Sequence, residues 1–526
     1  MTFNTGTATD YLDLLDQLVQ IATARNVATA AVNAGGTGYA VDDILTVLGG
    51  TSTHVATIRV TSVAAGVIDG VRMETGGAYT ADPSTTANAV TGGTGTGATM
   101  DLTMADTGWT ERRRTQQAAS ATVGSGGTGY TVGDDITIAG GLQGHGGVSA
   151  VFNVDSVSGG VVTAVSLVTA GNYEEVPANP AATTGGTGTG CTLNVTSADA
   201  VAQNQVLILE GEGLSALDAI VVGIKTWNGS NAAASATTYN WALFGMSGYN
   251  AGLKFHEQVD ISPGLNSSTG AITSSTNVGA FVPLKTSDAF DIEFWISVTP
   301  RRILGIAKVE TASLTRYMGF HLGFLNQLGT TSEFAYPLYI AGSTNRLTGW
   351  YQDTTSVVSG LTELVGLTGG SGPAYAWDPN GAWVSFRNAT VPSDVSLSVT
   401  ASTSDNTVYP AGRTTAPTAT EDQITAEGTG FDWTDIIFLD GAGALELYST
   451  PGSQHPLIPC IVTRTDIAAN PDAFLQLGEV DGLTWLSAAE GESAEDEIVE
   501  SDDTRHVMFY NGNRNTTYSY CALRED

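Results

Sequence analysis

A chain of 526 residues is longer than one ordinary domain, and with 42% of its residues hydrophobic it can bury large cores. Acidic residues outnumber basic ones 53 to 20, and the resulting charge of −33 disfavours nucleic-acid binding, while a charged fraction of only 14% excludes a disordered acidic tail. No apolar run approaches the roughly 18 residues of a membrane-spanning helix.

The N-terminus shows no basic region followed by an apolar stretch, so no secretory signal is expected. Cys191, Cys460 and Cys521 lie far apart and form no CxxC pair, which argues against a disulfide framework or a zinc site and for folding in reducing cytoplasm.

The first predicted element is a short helix within residues 1–30. Thr9 or Asp10 can cap it, and Tyr11, Leu14, Leu15, Leu18 and Ile21 recur at helical spacing, with Asp13, Asp16 and Gln17 on the other face. One apolar stripe suits a helix that docks on a partner as well as one that packs on its own domain. Tyr11, Leu14, Leu15 and Leu18 are the candidate docking residues.

An internal repeat follows, over 31–108 and 121–198. Gly35-Gly36-Thr37-Gly38-Tyr39 returns as Gly126-Gly127-Thr128-Gly129-Tyr130, and Asp42-Asp43-Ile44 aligns with Asp134-Asp135-Ile136. Gly77-Ala78-Tyr79 returns as Gly171-Asn172-Tyr173, and each copy closes on Gly-Gly-Thr-Gly-Thr-Gly, at 92–97 and 185–190. Short strands with Gly-rich turns are expected in both. The closing motif lacks the GK[ST] ending of a phosphate loop and runs into strand-like sequence, so the glycines read as turns needing positive φ. The connector, 109–120, carries a rare basic cluster, Arg112-Arg113-Arg114, which suits an acidic partner surface or intramolecular pairing.

The remaining chain divides into a central β domain (199–350), a second β domain (351–450) and a C-terminal β module (451–526). Strands are expected at Val206–Gly211, Ile220–Thr226, Tyr239–Leu243, Phe281–Leu284, Phe294–Val298, Val395–Val399 and His506–Tyr510, among others. Glu490, Glu492, Glu495, Asp496, Glu497, Glu500, Asp502 and Asp503 crowd one stretch without the spacing of a calcium loop, and read as a solvated acidic loop.

No catalytic, metal or cofactor residues emerge. The six histidines form no HExxH or HxH arrangement, and Ser247 in Gly-Met-Ser-Gly-Tyr misses a nucleophile elbow by one glycine. Asp291 and Glu293 share one strand face, a weak match to paired glycosidase carboxylates.

Several segments together resemble a family of tailed-bacteriophage virion structural proteins. They are Ile224 through Trp241, the Arg301-Arg302 strand, Tyr317-Met318-Gly319-Phe320, Tyr336-Pro337-Leu338, the opening Phe3 through Leu15, and the closing Leu477 through Gly482, Val507 through Asn511 and Tyr520 through Leu523. The repeats look like small β units that recur as insertions in phage tail and fibre proteins. The resemblance implies a mainly β fold of several small sandwich- or barrel-like domains behind a short helix. It also implies a non-enzymatic role on the virion exterior, in the tail, baseplate or fibre region, with assembly into a trimer or ring beside other virion proteins. Exposed Thr, Ser, Tyr and Trp would then meet host surface glycan. A capsid decoration or head-fibre protein and a polysaccharide-degrading tailspike are the rival expectations. Nucleic acid and membrane insertion are not expected.

Overall fold

In the computed structural model, residues 2–227 are described except 145, 201–203 and 216–217, and 239–343 except 273–278, 286–290, 311–314 and 328–335. Beyond these, the described residues are 374–377, 381, 383–388, 406–410, 438–439, 445–446, 457–465, 474–486, 494–500, 504–510 and 520–525. The expected strand Val395–Val399 lies outside them.

The chain opens with strand β1 (Thr2–Ala8) and helix α1 (Tyr11–Thr23). Asp10 is the helix cap: its Oδ1 accepts from the Leu12 and Asp13 amides at 2.8 and 2.9 Å, while the Asp13 carboxylate accepts from the Thr9 amide at 2.8 Å. These contacts satisfy N–H groups that have no partner within the helix.

The first repeat, here module 1, comprises β2 (Arg25–Thr37), β3 (Ile44–Val47), β4 (Thr51–His54), β5 (Thr57–Ala64), β6 (Val67–Thr75), β7 (Ala78–Ala81), β8 (Asn88–Gly92) and β9 (Thr96–Asp106). The single strand β10 (Thr110–Arg114) separates it from module 2: β11 (Gln116–Thr128), β12 (Asp135–Ile138), β13 (Val151–Ser158), β14 (Val161–Thr169), β15 (Ala181–Thr184) and β16 (Thr189–Asp199). Six strands run β2-β9-β8-β3-β5-β6 in module 1 and β11-β16-β15-β12-β13-β14 in module 2. In each, the last strand curls back against the first without hydrogen-bonding to it, giving a nearly closed barrel. Gly35 and Gly126 mark the seams, because a Cβ there would fall on the carbonyl oxygens of Ile68 and Val162. Each barrel has its own apolar filling, around Leu45, Ile58 and Met100 in one and Ile136, Phe152 and Leu193 in the other.

The core follows with β17 (Val206–Glu212), β18 (Ala219–Trp227), β19 (Tyr239–Met246), β20 (Ala280–Lys285), β21 (Ile292–Thr299), β22 (Arg302–Glu310), β23 (Thr315–Phe324), β24 (Leu338–Ala341) and β25 (Ala374–Trp377). Then come β26 (Trp383–Asn388), β27 (Asn406–Pro410), the two-residue pair β28 (Phe438–Leu439) and β29 (Leu445–Glu446), β30 (Ile458–Thr465), β31 (Phe474–Leu486), β32 (Glu497–Val499), β33 (Arg505–Tyr510) and β34 (Tyr520–Arg524). One five-stranded sheet, β10-β17-β18-β19-β20, faces a thirteen-stranded sheet that starts β1-β21-β22-β23 and ends β31-β34-β33-β32. The central and C-terminal segments therefore share one sheet.

Strand alternation explains the packing. Leu207 and Leu209 of β17 enter the sandwich between the sheets, while Val206 and Ile208 point to the other face, where Phe255 covers them. The chain is mainly β, with several antiparallel sheets and small β domains.

Candidate interaction surface

Each module enters and leaves the core through paired strands: Arg25 lies opposite Asp106, and Gln116 opposite Asp199. Both are thus insertions into a continuous core. Thirteen residues of β2 or β11 carry the chain roughly 40 Å outward before it turns, at about 3.3 Å per residue. The Gly-Gly-Thr-Gly-Tyr and Gly-Gly-Thr-Gly-Thr-Gly segments meet at that far end, and the same hydrogen bonds fix them in both copies.

In module 1 the Asp43 Oδ2 accepts from the Ala40 amide (2.9 Å), the Thr94 amide (2.9 Å) and the Thr94 hydroxyl (2.8 Å). In module 2 the Asp134 Oδ2 accepts from the Thr131 amide (2.9 Å), the Thr187 amide (3.0 Å) and the Thr187 hydroxyl (2.6 Å). The Tyr39 amide donates to Gly66 and the Tyr130 amide to Gly160, both at 3.0 Å. The backbone bond from Thr131, followed by those from Thr187, holds the Asp134 carboxyl down at about 2, and Asp43 is lowered by the matching bonds from Ala40 and Thr94. Both tips are therefore tied by ionised carboxylates at neutral pH.

These bonds correct the sequence alignment by one residue: Asp43 corresponds to Asp134, and Asp42 to Gly133. Position 42/133 has positive φ, 71° and 92°, so the second copy places glycine where the first strains an aspartate. Asp43 and Asp134 are turn ties, whereas Asp42 lies 3.8 Å from Arg59 and Asp135 accepts from the Asn153 side-chain amide at 3.0 Å. The tyrosines of the repeated motifs do not reach solvent either. Tyr39, Tyr79, Tyr130 and Tyr173 are all buried, and the Tyr79 and Tyr173 hydroxyls accept from the Ala56 and Ala150 amides at 3.0 and 2.6 Å. What the tips expose is Thr37, Thr94 and Thr96 with Val41 in one copy, and Thr128, Thr131 and Thr187 with Val132 in the other.

Of the residues expected to dock, all but the exposed Arg112 are buried within this chain. Tyr11, Leu14, Leu15 and Leu18 pack into the sandwich core, where the Tyr11 carbonyl accepts from the Trp241 indole at 3.0 Å. Arg112 pairs with Glu210 at 2.5 Å. Arg113 is buried, donates to the Leu253 and Ala251 carbonyls at 2.6 Å each, and faces Glu174 of module 2 at 3.5 Å. Glu174 also accepts from the Phe255 amide at 2.6 Å; burial pushes its carboxyl up, against that bond and the nearby Lys225. Burial in turn pulls Lys225 down to about 8, with Glu174 opposing. Arg114 joins Asp16 of α1 and lies 3.4 Å from Asp199. Arg113 and Arg114 root module 2 on the helix and the core, because buried guanidinium groups need internal acids, whereas Arg112 is exposed.

The acidic stretch is likewise engaged where it is described. Glu495 lies 3.0 Å from Lys308 and accepts from the Tyr317 hydroxyl at 2.6 Å, and Glu497 pairs with Arg505 and lies 3.6 Å from Arg72 of module 1. Glu490, Glu492, Asp502 and Asp503 lie outside the described residues. Glu495, Asp496, Glu497 and Glu500 are exposed, as a solvated loop requires, and Glu495 and Glu497 also meet cations that module 1, β22 and β33 bring to them, which no local pattern announces.

Groups with chemical potential are tied into structural contacts. Ser247 donates to Asp260 at 2.6 Å, and Glu293 is paired with Lys308 at 3.2 Å. Arg302, wholly buried, donates to Asp481 at 2.9 Å and to Ser297, while Arg524 meets the same carboxylate at 3.2 Å. Burial would raise Asp481, but Arg302 and Arg524 outweigh it and hold it low. His321 is buried nearby with Nδ1 against the Tyr339 carbonyl at 3.0 Å and Nε2 unpartnered, and burial depresses it to about 3. Among the described residues no group of three or more His, Cys, Asp or Glu is arranged to hold a metal ion, and no helix is long and apolar enough to cross a membrane. No protein-family model matches this chain, and no curated protein matches it.

Proposed function

We propose that this chain is a non-enzymatic structural component of a tailed-phage virion, in the tail, baseplate or fibre region. The observation that carries this reading is the pair of inserted modules, each held by paired entry and exit strands and each presenting the same stiffened tip away from a common core. Such an arrangement suits a core that seats in an assembly and modules that meet the outside. The Thr94, Thr131 and Thr187 hydroxyls donate to the tip carboxylates, and the exposed Thr37, Thr96 and Thr128 hydroxyls offer donors and acceptors to a hydroxylated surface such as host polysaccharide.

Mass spectrometry of purified particles tests this. The chain should be present at a low, fixed copy number relative to the major capsid protein. A copy number matching the capsid lattice would replace the tail reading by capsid decoration, and absence from particles would overturn both. Chain shortening of host polysaccharide by the purified protein would overturn the non-enzymatic part.

A further inference from the structure

Positions that only face water are free to drift apart between two copies of one repeat, while positions under a demand stay alike. Along β2 and β11 the drift is visible: the positions exposed in both copies short of the tip differ, at Thr29/Ser120, Ala31/Thr122, Asn33/Gly124 and Ala34/Ser125. At the tip, Thr37/Thr128, Thr96/Thr189, Val41/Val132 and Val67/Val161 are exposed and identical. The loop positions beside them do change, Ala40 to Thr131 and Asp42 to Gly133, so the fold of the tip does not by itself freeze its surface. Thr94 and Thr187 are kept by their carboxylate bonds, but the other threonines have no such bond. Thr37 lies opposite Thr96, and Thr128 opposite Thr189, which places both side chains of each pair on one side of the strands. None of these four hydroxyls forms a hydrogen bond with a described residue.

We infer that each tip carries one copy of the same binding site, a pair of strand-end threonine hydroxyls that takes the hydroxyl groups of a neutral glycan. An unengaged hydroxyl donates one hydrogen bond and accepts others, as a sugar hydroxyl does, so two of them side by side suit neighbouring hydroxyls of a sugar. An anionic ligand finds no counter-charge there. The tip segments 35–43, 92–97, 126–134 and 185–190 contain no lysine or arginine, each tip keeps an ionised aspartate, and the chain as a whole carries −33. This inference rests on the reading that the tips meet polysaccharide. It adds which atoms bind, that the ligand is uncharged, and that one chain holds two equivalent sites.

Titration of the full chain with dextran, mannan and galactan oligosaccharides, followed by NMR of labelled valine methyls, tests it, with oligogalacturonate as the anionic counterpart. Val41 and Val67 report one tip, and Val132 and Val161 the other. At least one neutral glycan should shift the valines of both tips with a common midpoint, and oligogalacturonate should shift neither. Thr37→Val keeps the branched shape at an exposed position and removes only the hydroxyl. It should raise the module 1 midpoint by about three- to tenfold, the worth of one hydrogen bond, and leave module 2 unchanged. Thr128→Val should do the reverse, and far-UV circular dichroism establishes that both variants remain folded. The inference is overturned if no neutral glycan shifts the tip valines, if one tip alone responds, if oligogalacturonate binds as well, or if the threonine variants leave the midpoints in place. The virion reading fails separately, through absence of the chain from purified particles.

Discussion

Gly35 and Gly126 hold the barrel seams because no larger residue fits where the last strand crosses the first. Gly126→Ala should destabilise the protein by about 1–3 kcal/mol, the usual cost of overpacking, since the obstructing atoms are backbone and cannot turn aside. Chemical denaturation measures it. The tips make a different demand. Asp134→Ala should speed amide exchange at Thr131 and Thr187 while barely moving the global unfolding midpoint, because that carboxylate organises an exposed loop. His321 supplies a pH dependence. Its pKa is lowered on folding, so the unfolded chain binds a proton below the ordinary histidine value near 6.5 while the folded chain does not until about 3. Stability is therefore full above pH 6.5 and falls toward pH 3 by about 1.4 kcal/mol per pH unit from this residue. His321→Gln, which keeps a donor for the Tyr339 carbonyl, should flatten the pH profile; a profile parallel to wild type would remove His321 as its source.

At the scale of elements, the two modules are fixed by different means. Module 2 is rooted by buried Arg113 and Glu174, and module 1 by partly exposed ion pairs between Arg72 and the C-terminal strands. Exposed pairs are weak, each worth up to about 1 kcal/mol, and salt screens them. Molar salt, or Arg72→Ala, should accordingly raise hydrogen exchange in β6 and β33 and leave the core of module 2 protected. Equal protection of both modules would show that backbone contacts at Gly76 and Gly77 suffice. Much at this scale was legible in the sequence. The repeat, the helix with its cap at Asp10, and strands such as Val206–Glu212 follow from recurrence and alternation, which are local. The Arg72–Glu497 pair and the closure of each barrel at Gly35 or Gly126 were not legible, because they join residues far apart and leave no periodic trace. The one-residue slip at Asp42-Asp43 arose because matching acids by identity ignores that position 42/133 is chosen for its backbone angle.

For the whole molecule, burial decided what composition left open. The apolar stripe of α1 and the buried Arg113 and Arg114 serve this chain's own packing, so the outward-facing chemistry shifts to the module tips. The low charge fraction with a strongly acidic balance fits that division: strands with apolar inner faces build the cores, and many carboxylates are tied to arginines, lysines or turn amides. The central claim is that the core seats in a particle while the modules face outward. Immunogold labelling of intact particles with an antibody raised against the module 2 tip, residues 126–134, tests it directly. The account predicts gold on undisrupted particles, clustered at the tail; label that appears only after disruption, or only over the capsid, would contradict it.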